Sequence, residues 1–369
     1  MNERIISKAV AMLRFPLMVG IVCIHTDLRI ACPETGTLPW FGPFIHVFKN
    51  DICFPVLDIF FFIAGFYFFR ECRFDKPLYV TKLVKRFKSL LVPYILWNGM
   101  TFAAICLCQA FTGFMPLLRK AIVDFHWYDY LLVFWDKQWV TGIPTDFHGP
   151  LMMQFWFVQC LLVCVVFSPL LWMGLRRLRW LFPVLLGVLL AIYPIREYAG
   201  VRMDAFFFFT LGAFFRLHHR LWRVLEHPKA MALCWLVSWA VMQLVPVLSV
   251  LYCIVYTLLV LSIAVNIQGL NMKDKESSNA LGSQSRDSSF SILHSSFIKD
   301  SSFFIFAFHA FISQAFFNMY ARLSIPWNDP LAFLVFVATV VMNVSICLLT
   351  YGMMKKYMPR FLALLMGGR

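Results

Sequence analysis

Residues 12–25 read MLRFPLMVGIVCIH, and the fold reading starts from this stretch. It is apolar except for Arg14 near its start and His25 at its end. On a helix at about 100° per residue, eleven steps make three turns plus roughly 20°, so the two side chains share a face about 16 Å apart. Ionisable groups at membrane depth are costly, and they usually face a bundle interior or a wet cavity. A bland alternative keeps Arg14 at the interface with its stem along the helix, and leaves His25 satisfied by a neighbouring helix. The shared face is the sharper reading, because it puts a cation and a base on one wall.

The rest of the chain has the same character. Of 369 residues 61% are hydrophobic and 14% charged, with 41 phenylalanines, which excludes an ordinary soluble domain. Several apolar runs reach the roughly 20 residues that a helix needs to cross a bilayer. The fold class expected is all-α: a polytopic membrane bundle of about ten helices, one domain over 1–369, with both termini cytoplasmic. The expected segments lie near 8–27, 52–69, 89–112, 150–173, 180–195, 203–217, 230–247, 249–267, 302–322 and 330–353. Residues 127–135 (WYDYLLVFW) are too short to span and rich in interfacial aromatics, so they are placed flat on the membrane surface. Residues 271–301, rich in serine and charge, read as a flexible cytoplasmic loop.

With that topology, 25 of the 33 lysines and arginines fall on the inner side and 8 on the outer. The net charge of +14 then belongs to a cytoplasmic rim facing anionic lipid headgroups, and nucleic acid is not an expected partner. Eleven cysteines form no CxxC pair and no metal-ligand spacing, so no metal site is expected. Arg14 and Pro16 interrupt the first apolar segment, which argues against a cleaved signal peptide.

No P-loop, GxSxG or HExxH motif is present, so any chemistry rests on polar residues inside the bundle. Asp58 in FPVLDIFFFIAGFYFF lies at a depth where it could meet His25. A carboxylate on one ring nitrogen fixes the tautomer and raises the basicity of the other. Pairing with a helix-packing partner is the equal alternative for Asp58. Lys82, Lys85 and Arg86 in VTKLVKRFK sit three and four residues apart, which suits either a phosphate-bearing cytosolic ligand or lipid headgroups. His309 in SSFFIFAFHAFI is a third candidate, to be weighed against a structural histidine. His148 and Trp156 near HGPLMMQFWFVQ suggest an outer cleft where an indole face stacks on a sugar, although interfacial anchoring explains many such tryptophans.

These residues carry a family resemblance. LRFPLMVGIVCIH resembles the first-helix arginine, ten residues, histidine signature of the integral-membrane acyltransferase 3 family. DIFFFIAGF, Lys85-Arg86 with LVPY, FWFVQCLLVCVVFSPLLW and SSFFIFAFH are similar to later family segments, in family order. The resemblance implies an enzyme, an O-acyltransferase of the bacterial cytoplasmic membrane. Such an enzyme moves an acyl group, acetyl above all, from cytosolic acyl-CoA to a hydroxyl of an envelope glycan or lipid-linked saccharide. Acyl-CoA is then a co-substrate, and no permanently bound cofactor is expected. His25 with Asp58 would be catalytic, and Arg14, Lys82, Lys85 and Arg86 would hold the donor. His148, Trp156 and His309 would meet the acceptor. Gln159 and Cys160 stand where some sugar acetylases of the family carry Arg-Asp, which leaves the acceptor open. A transporter or flippase of a lipid-linked glycan is the competing class; it needs only a polar cavity, and a non-catalytic membrane sensor needs less.

Overall fold

Helix α1 covers Asn2–Ile24 with Pro16 inside it, so the Arg14 side of the first stretch is helical almost to His25. This computed structural model describes residues 2–112, 122–137, 148–192, 197, 198, 200–218, 221–280 and 296–368. Among them, six helical stretches are long and apolar enough to cross a membrane: Glu3–Ile30, Phe41–Phe68, Lys76–Thr112, Pro246–Met272, Ser296–Tyr320 and Asp329–Tyr357. Met153–Val166 and Ser168–Leu178 pass the same test only together, and they meet at a 60° bend. The protein is therefore an all-α membrane protein, but among the described residues six or seven stretches are long and apolar enough to span, where ten were expected. The reason is length. The expected segments at 180–195, 203–217 and 230–247 become helices of 12, 15 and 17 residues. At 1.5 Å per residue these reach about 18 to 26 Å, short of a hydrocarbon core of about 30 Å.

The chain divides into two compact units, 1–60 with 218–356 and 61–217 with 357–369. The single domain expected over 1–369 stays an expectation beside this division. In the first unit α1 is followed by α2 (Phe41–Val47), a π-helical turn at Phe48–Cys53 and the start of α3 (Val56–Phe68). Later come α11 (Leu221–Leu225), α12 (Pro228–Leu244), α13 (Ser249–Ala280), α14 (Ser296–Tyr320) and α15 (Asp329–Tyr357). Helix α1 packs along α13 and α14. Gly20 lets α1 approach α3, since a Cβ there would lie 3.3 Å from Val56 Cγ2. Buried Asn343 on α15 joins its neighbour by donating to the His309 carbonyl at 3.1 Å and the Ser313 hydroxyl at 2.9 Å. The backbone of α13 stays helical to Ala280, and α14 begins at Ser296. The loop expected over 271–301 is thus helical at both ends, and its remainder, 281–295, lies outside the described residues.

The second unit holds most of α3 and then α4 (Lys76–Arg86), a π-helical turn at Phe87–Leu91, α5 (Val92–Thr112) and α6 (Trp127–Trp135). It continues with α7 (Trp156–Val166), α8 (Ser168–Leu178), α9 (Leu181–Ile192), α10 (Met203–Leu217) and α16 (Pro359–Leu365). Two residues at Glu197–Tyr198 (β1) pair antiparallel with Val201–Arg202 (β2) beside Gly200, whose φ is +76°. Asp75 caps α4 by accepting from the Leu78 amide at 2.9 Å. Pro169 lies in the first turn of α8, directly after the bend at Phe167, where a residue without an N–H fits.

Helices α3 and α10 meet backbone to backbone. A Cβ on Gly65 would run into the Phe209 carbonyl, and one on Gly212 into the Phe62 carbonyl. The two glycines answer each other across the contact, the close approach that small residues permit between membrane helices. Asn98, fully buried on α5, holds the approach to α7 by accepting from the Met152 amide at 2.9 Å while donating to the Tyr94 carbonyl.

Candidate active site

His25 stands one residue past α1, where its amide still bonds the Val22 carbonyl at 3.0 Å. Its ring is partly buried, and the ring set against it is that of His309, with centroids 5.1 Å apart and planes at 52°. His309 sits on α14, fully buried. Its Nδ1 lies 2.9 Å from the Ile305 carbonyl, one turn back. A carbonyl can only accept, so Nδ1 carries the proton and Nε2 holds the lone pair. That Nε2 is buried and has no hydrogen-bond partner among the described residues. Two imidazoles side by side, one with its tautomer fixed by backbone, are groups that can take up and hold a proton.

A carboxylate does stand close in sequence to His25, though not the one singled out from the sequence. Asp27, 2% exposed, accepts from Arg29 Nε at 2.9 Å and Nη2 at 2.8 Å, and from Lys49 Nζ at 2.7 Å. This fork ties the turn after α1 to the π-helical turn at Phe48–Cys53 and fixes the position from which His25 projects. Asp58 is buried in the first turn of α3, and the ring against His25 is that of His309. The sequence did hold a signal for the fork: the i, i+2 spacing of Asp27 and Arg29 directly after the histidine. Lys49 carries no such signal, because it comes from the next helix.

The fork yields a prediction. Asp27→Ala leaves two cations without their carboxylate, and removing one partner of a buried pair costs about 3 kcal/mol. Thermal unfolding in detergent should shift down clearly. Lys49→Met added to Asp27→Ala should recover part of the loss, because one stranded charge is then gone. No recovery in the double variant would show that the fork is not an electrostatic tie.

The other expected residues fall as follows. Arg14 is exposed on α1 and makes no hydrogen bond or ion pair among the described residues. In the second unit, Lys82 is already engaged: it bonds the Phe68 carbonyl and pairs with Glu71. Burial works to raise the Glu71 carboxyl, but the Lys82 ammonium, a backbone hydrogen bond and the nearby Arg70 charge together hold the group below the ordinary carboxylate value. Lys85 is exposed and Arg86 partly buried on the same helix. His148 Nδ1 bonds buried Asp136 Oδ2 at 2.7 Å. Trp156 is buried, and the Arg202 guanidinium lies 4.7 Å from its ring centroid, so that face is covered by an internal cation–π contact. Phe61 and Phe157 also pack near this ring, with centroids 6.1 and 6.3 Å away.

Comparison with known proteins bears on what this arrangement does. Succinoglycan biosynthesis protein ExoH of Rhizobium meliloti (strain 1021) is 24% identical over 221 residues, which cover 58% of this chain and 55% of that protein. The match thus spans about half the length of that relative. No solved structure matches. The acyltransferase-domain profile matches residues 8–352, and so takes in Arg14, His25, Asp58 and His309 in one continuous alignment. By that match over nearly its whole length, the chain belongs to the acyltransferase 3 family.

Proposed function

We propose that this protein is an O-acyltransferase that moves an acyl group, acetyl first among them, from cytosolic acyl-CoA to a hydroxyl of an envelope glycan or lipid-linked saccharide. The observation that carries the reading is the His25–His309 pair at the end of α1. Family membership supports acyl transfer, and a relative named for succinoglycan biosynthesis supports a glycan acceptor. His25 takes the proton from the acceptor hydroxyl as its oxygen attacks the thioester carbonyl. The C–O bond forms, the C–S bond breaks, and the thiolate leaves to be protonated. His309, with Nε2 bearing a lone pair beside the His25 ring, steadies the imidazolium that forms. Asp58, buried in the first turn of α3, is the carboxylate that orients His25 in this reading. The protein works in the bacterial cytoplasmic membrane, both termini on the cytoplasmic side.

Arg14 is the donor's phosphate anchor on the first unit, because it is an exposed, unengaged guanidinium on the same helix as His25. Arg14→Ala should therefore weaken acyl-CoA binding, with little loss of stability, since an exposed side chain contributes little packing. Isothermal titration with acetyl-CoA reads the first effect and a melting curve the second. Unchanged acetyl-CoA affinity in a stably folded Arg14→Ala protein removes the anchor. The reading as a whole is tested by mass spectrometry of envelope glycans from cells with and without the chain. An acyl mass difference is expected. Its absence, with altered export of the glycan instead, would favour a flippase.

A further inference from the structure

The second unit contains a cavity of about 900 Å³ that plays no part in the chemistry above. Its walls are carbon almost throughout, from Phe87, Leu91, Phe134, Leu162, Val163 and Phe167. The wall residues Ile95, Leu131, Val166 and Phe167 are themselves exposed, so the cavity opens to the outside of the unit. Helix α6 contributes Leu131, Phe134 and Trp135 to the walls. The other principal walls belong to stretches apolar enough to cross a membrane: Phe87 to Ile95 in Lys76–Thr112, and α7 in the bent pair that begins at Met153. An opening at that depth faces hydrocarbon, and what enters comes from the bilayer. A sugar or a phosphate would strand its polar groups on such walls, at a cost of about 1–3 kcal/mol each.

Charge decides which lipid. The wall begins at Phe87, and the residues around it on the chain are Lys85, Arg86 and Lys88. Lys85 and Lys88 are exposed, and Arg86 is partly buried with no hydrogen bond or ion pair among the described residues. Lys82, the fourth cation, is held by Glu71 and does not compete. A cationic rim beside an apolar cavity is the complement of an anionic amphiphile. At about 30 Å³ for each water-sized group, the volume holds about thirty such groups, the bulk of two hydrocarbon chains.

We propose that this cavity binds an anionic two-chain phospholipid, with its chains between α5 and α7 and its phosphate on Lys85, Arg86 and Lys88. This gives the basic cluster a lipid headgroup in place of the donor's phosphates. The site does not depend on the acyl-transfer reading, and its test is separate from it.

The probe is phosphatidylglycerol carrying a diazirine on one acyl chain, present as a trace in vesicles that hold the full-length protein. After illumination, labelled peptides are mapped by mass spectrometry. Label should concentrate on residues 87–95 and 159–167, above the level on the exposed face of α15 around Val341 and Leu349. Val163→Trp, which fills the cavity, should remove most of the cavity label and leave the α15 label unchanged; an unaltered melting curve in detergent shows that the variant is folded. Lys85→Ala with Lys88→Ala should lower cavity labelling by phosphatidylglycerol but not by the same diazirine chain on phosphatidylcholine. His25→Ala should change none of this. Cavity label no higher than the α15 label, or label that survives Val163→Trp, would reduce the site to ordinary annular lipid and overturn the proposal. Equal cavity labelling by the two lipids, or displacement of phosphatidylglycerol by acetyl-CoA, would overturn it as well, the latter returning the cluster to the donor.

Discussion

His25→Gln should nearly abolish acyl transfer while the protein still inserts and still binds acyl-CoA. A positioned base contributes about 10²- to 10⁴-fold to rate, and glutamine has no nitrogen that can take a proton near neutrality. Glutamine does keep a hydrogen-bonding group of similar reach, so it separates chemistry from packing. If His25 serves only to fill the space against His309, glutamine should restore much of the activity that alanine loses. Turnover of purified protein with acetyl-CoA and a saccharide acceptor reads the outcome. Near-normal turnover in His25→Gln at matched expression would take His25 out of the mechanism. His309→Gln should fall between the wild type and His25→Gln, since His309 steadies the charge on His25 without touching the reacting hydroxyl.

The second large effect is expected in folding. Gly65→Val or Gly212→Val should cost the second unit most of its folded yield, because each new side chain meets a main-chain carbonyl that cannot turn aside. Overpacking a well-packed contact costs about 1–3 kcal/mol, and a clash with backbone lies at the upper end of that range. Gly269→Ala on α13 is the matched control, since nothing lies within 4 Å of its new methyl. Alanine there should be neutral or stabilising by up to about 1 kcal/mol, as expected inside a helix. The monodisperse fraction after detergent extraction, with melting curves, distinguishes the three variants. Equal yields of all three would mean that α3 and α10 do not touch through these glycines.

The residues themselves show which parts of this molecule are legible in the chain. Arg14 and His25 are related through one helix, and helical periodicity alone sets their spacing. His25 and His309 lie on α1 and α14, far apart in the chain, and depth arguments say how deep a residue sits but not which way its helix is turned. That is why depth suggested Asp58 as a partner for His25 but gave no sign that the ring of His309 lies against it. Hydropathy likewise marks where a chain is apolar, not where a helix stops. The apolar run at 150–173 contains Phe167, Ser168 and Pro169, and the helix turns through 60° there. The basic cluster on α4 was plain in the sequence. That Lys82 is held by Glu71, leaving Lys85, Arg86 and Lys88, was not, because an ion pair depends on where a turn folds back.

Helix α13 has a consequence for how the protein meets the aqueous phase. Its 32 residues extend about 48 Å, and a tilt of about 20° trims this only to about 45 Å, still well beyond a hydrocarbon core of about 30 Å. The apolar stretch ends at Met272, and the eight residues from 273 to 280 carry the helix about 12 Å further. They continue the helix as a stalk beyond the apolar stretch, up to Ala280. A tag or epitope set after Ala280 would therefore ride on a stiff post well away from the His25–His309 pair, reachable from one side of the membrane, with the chemistry at the end of α1 undisturbed.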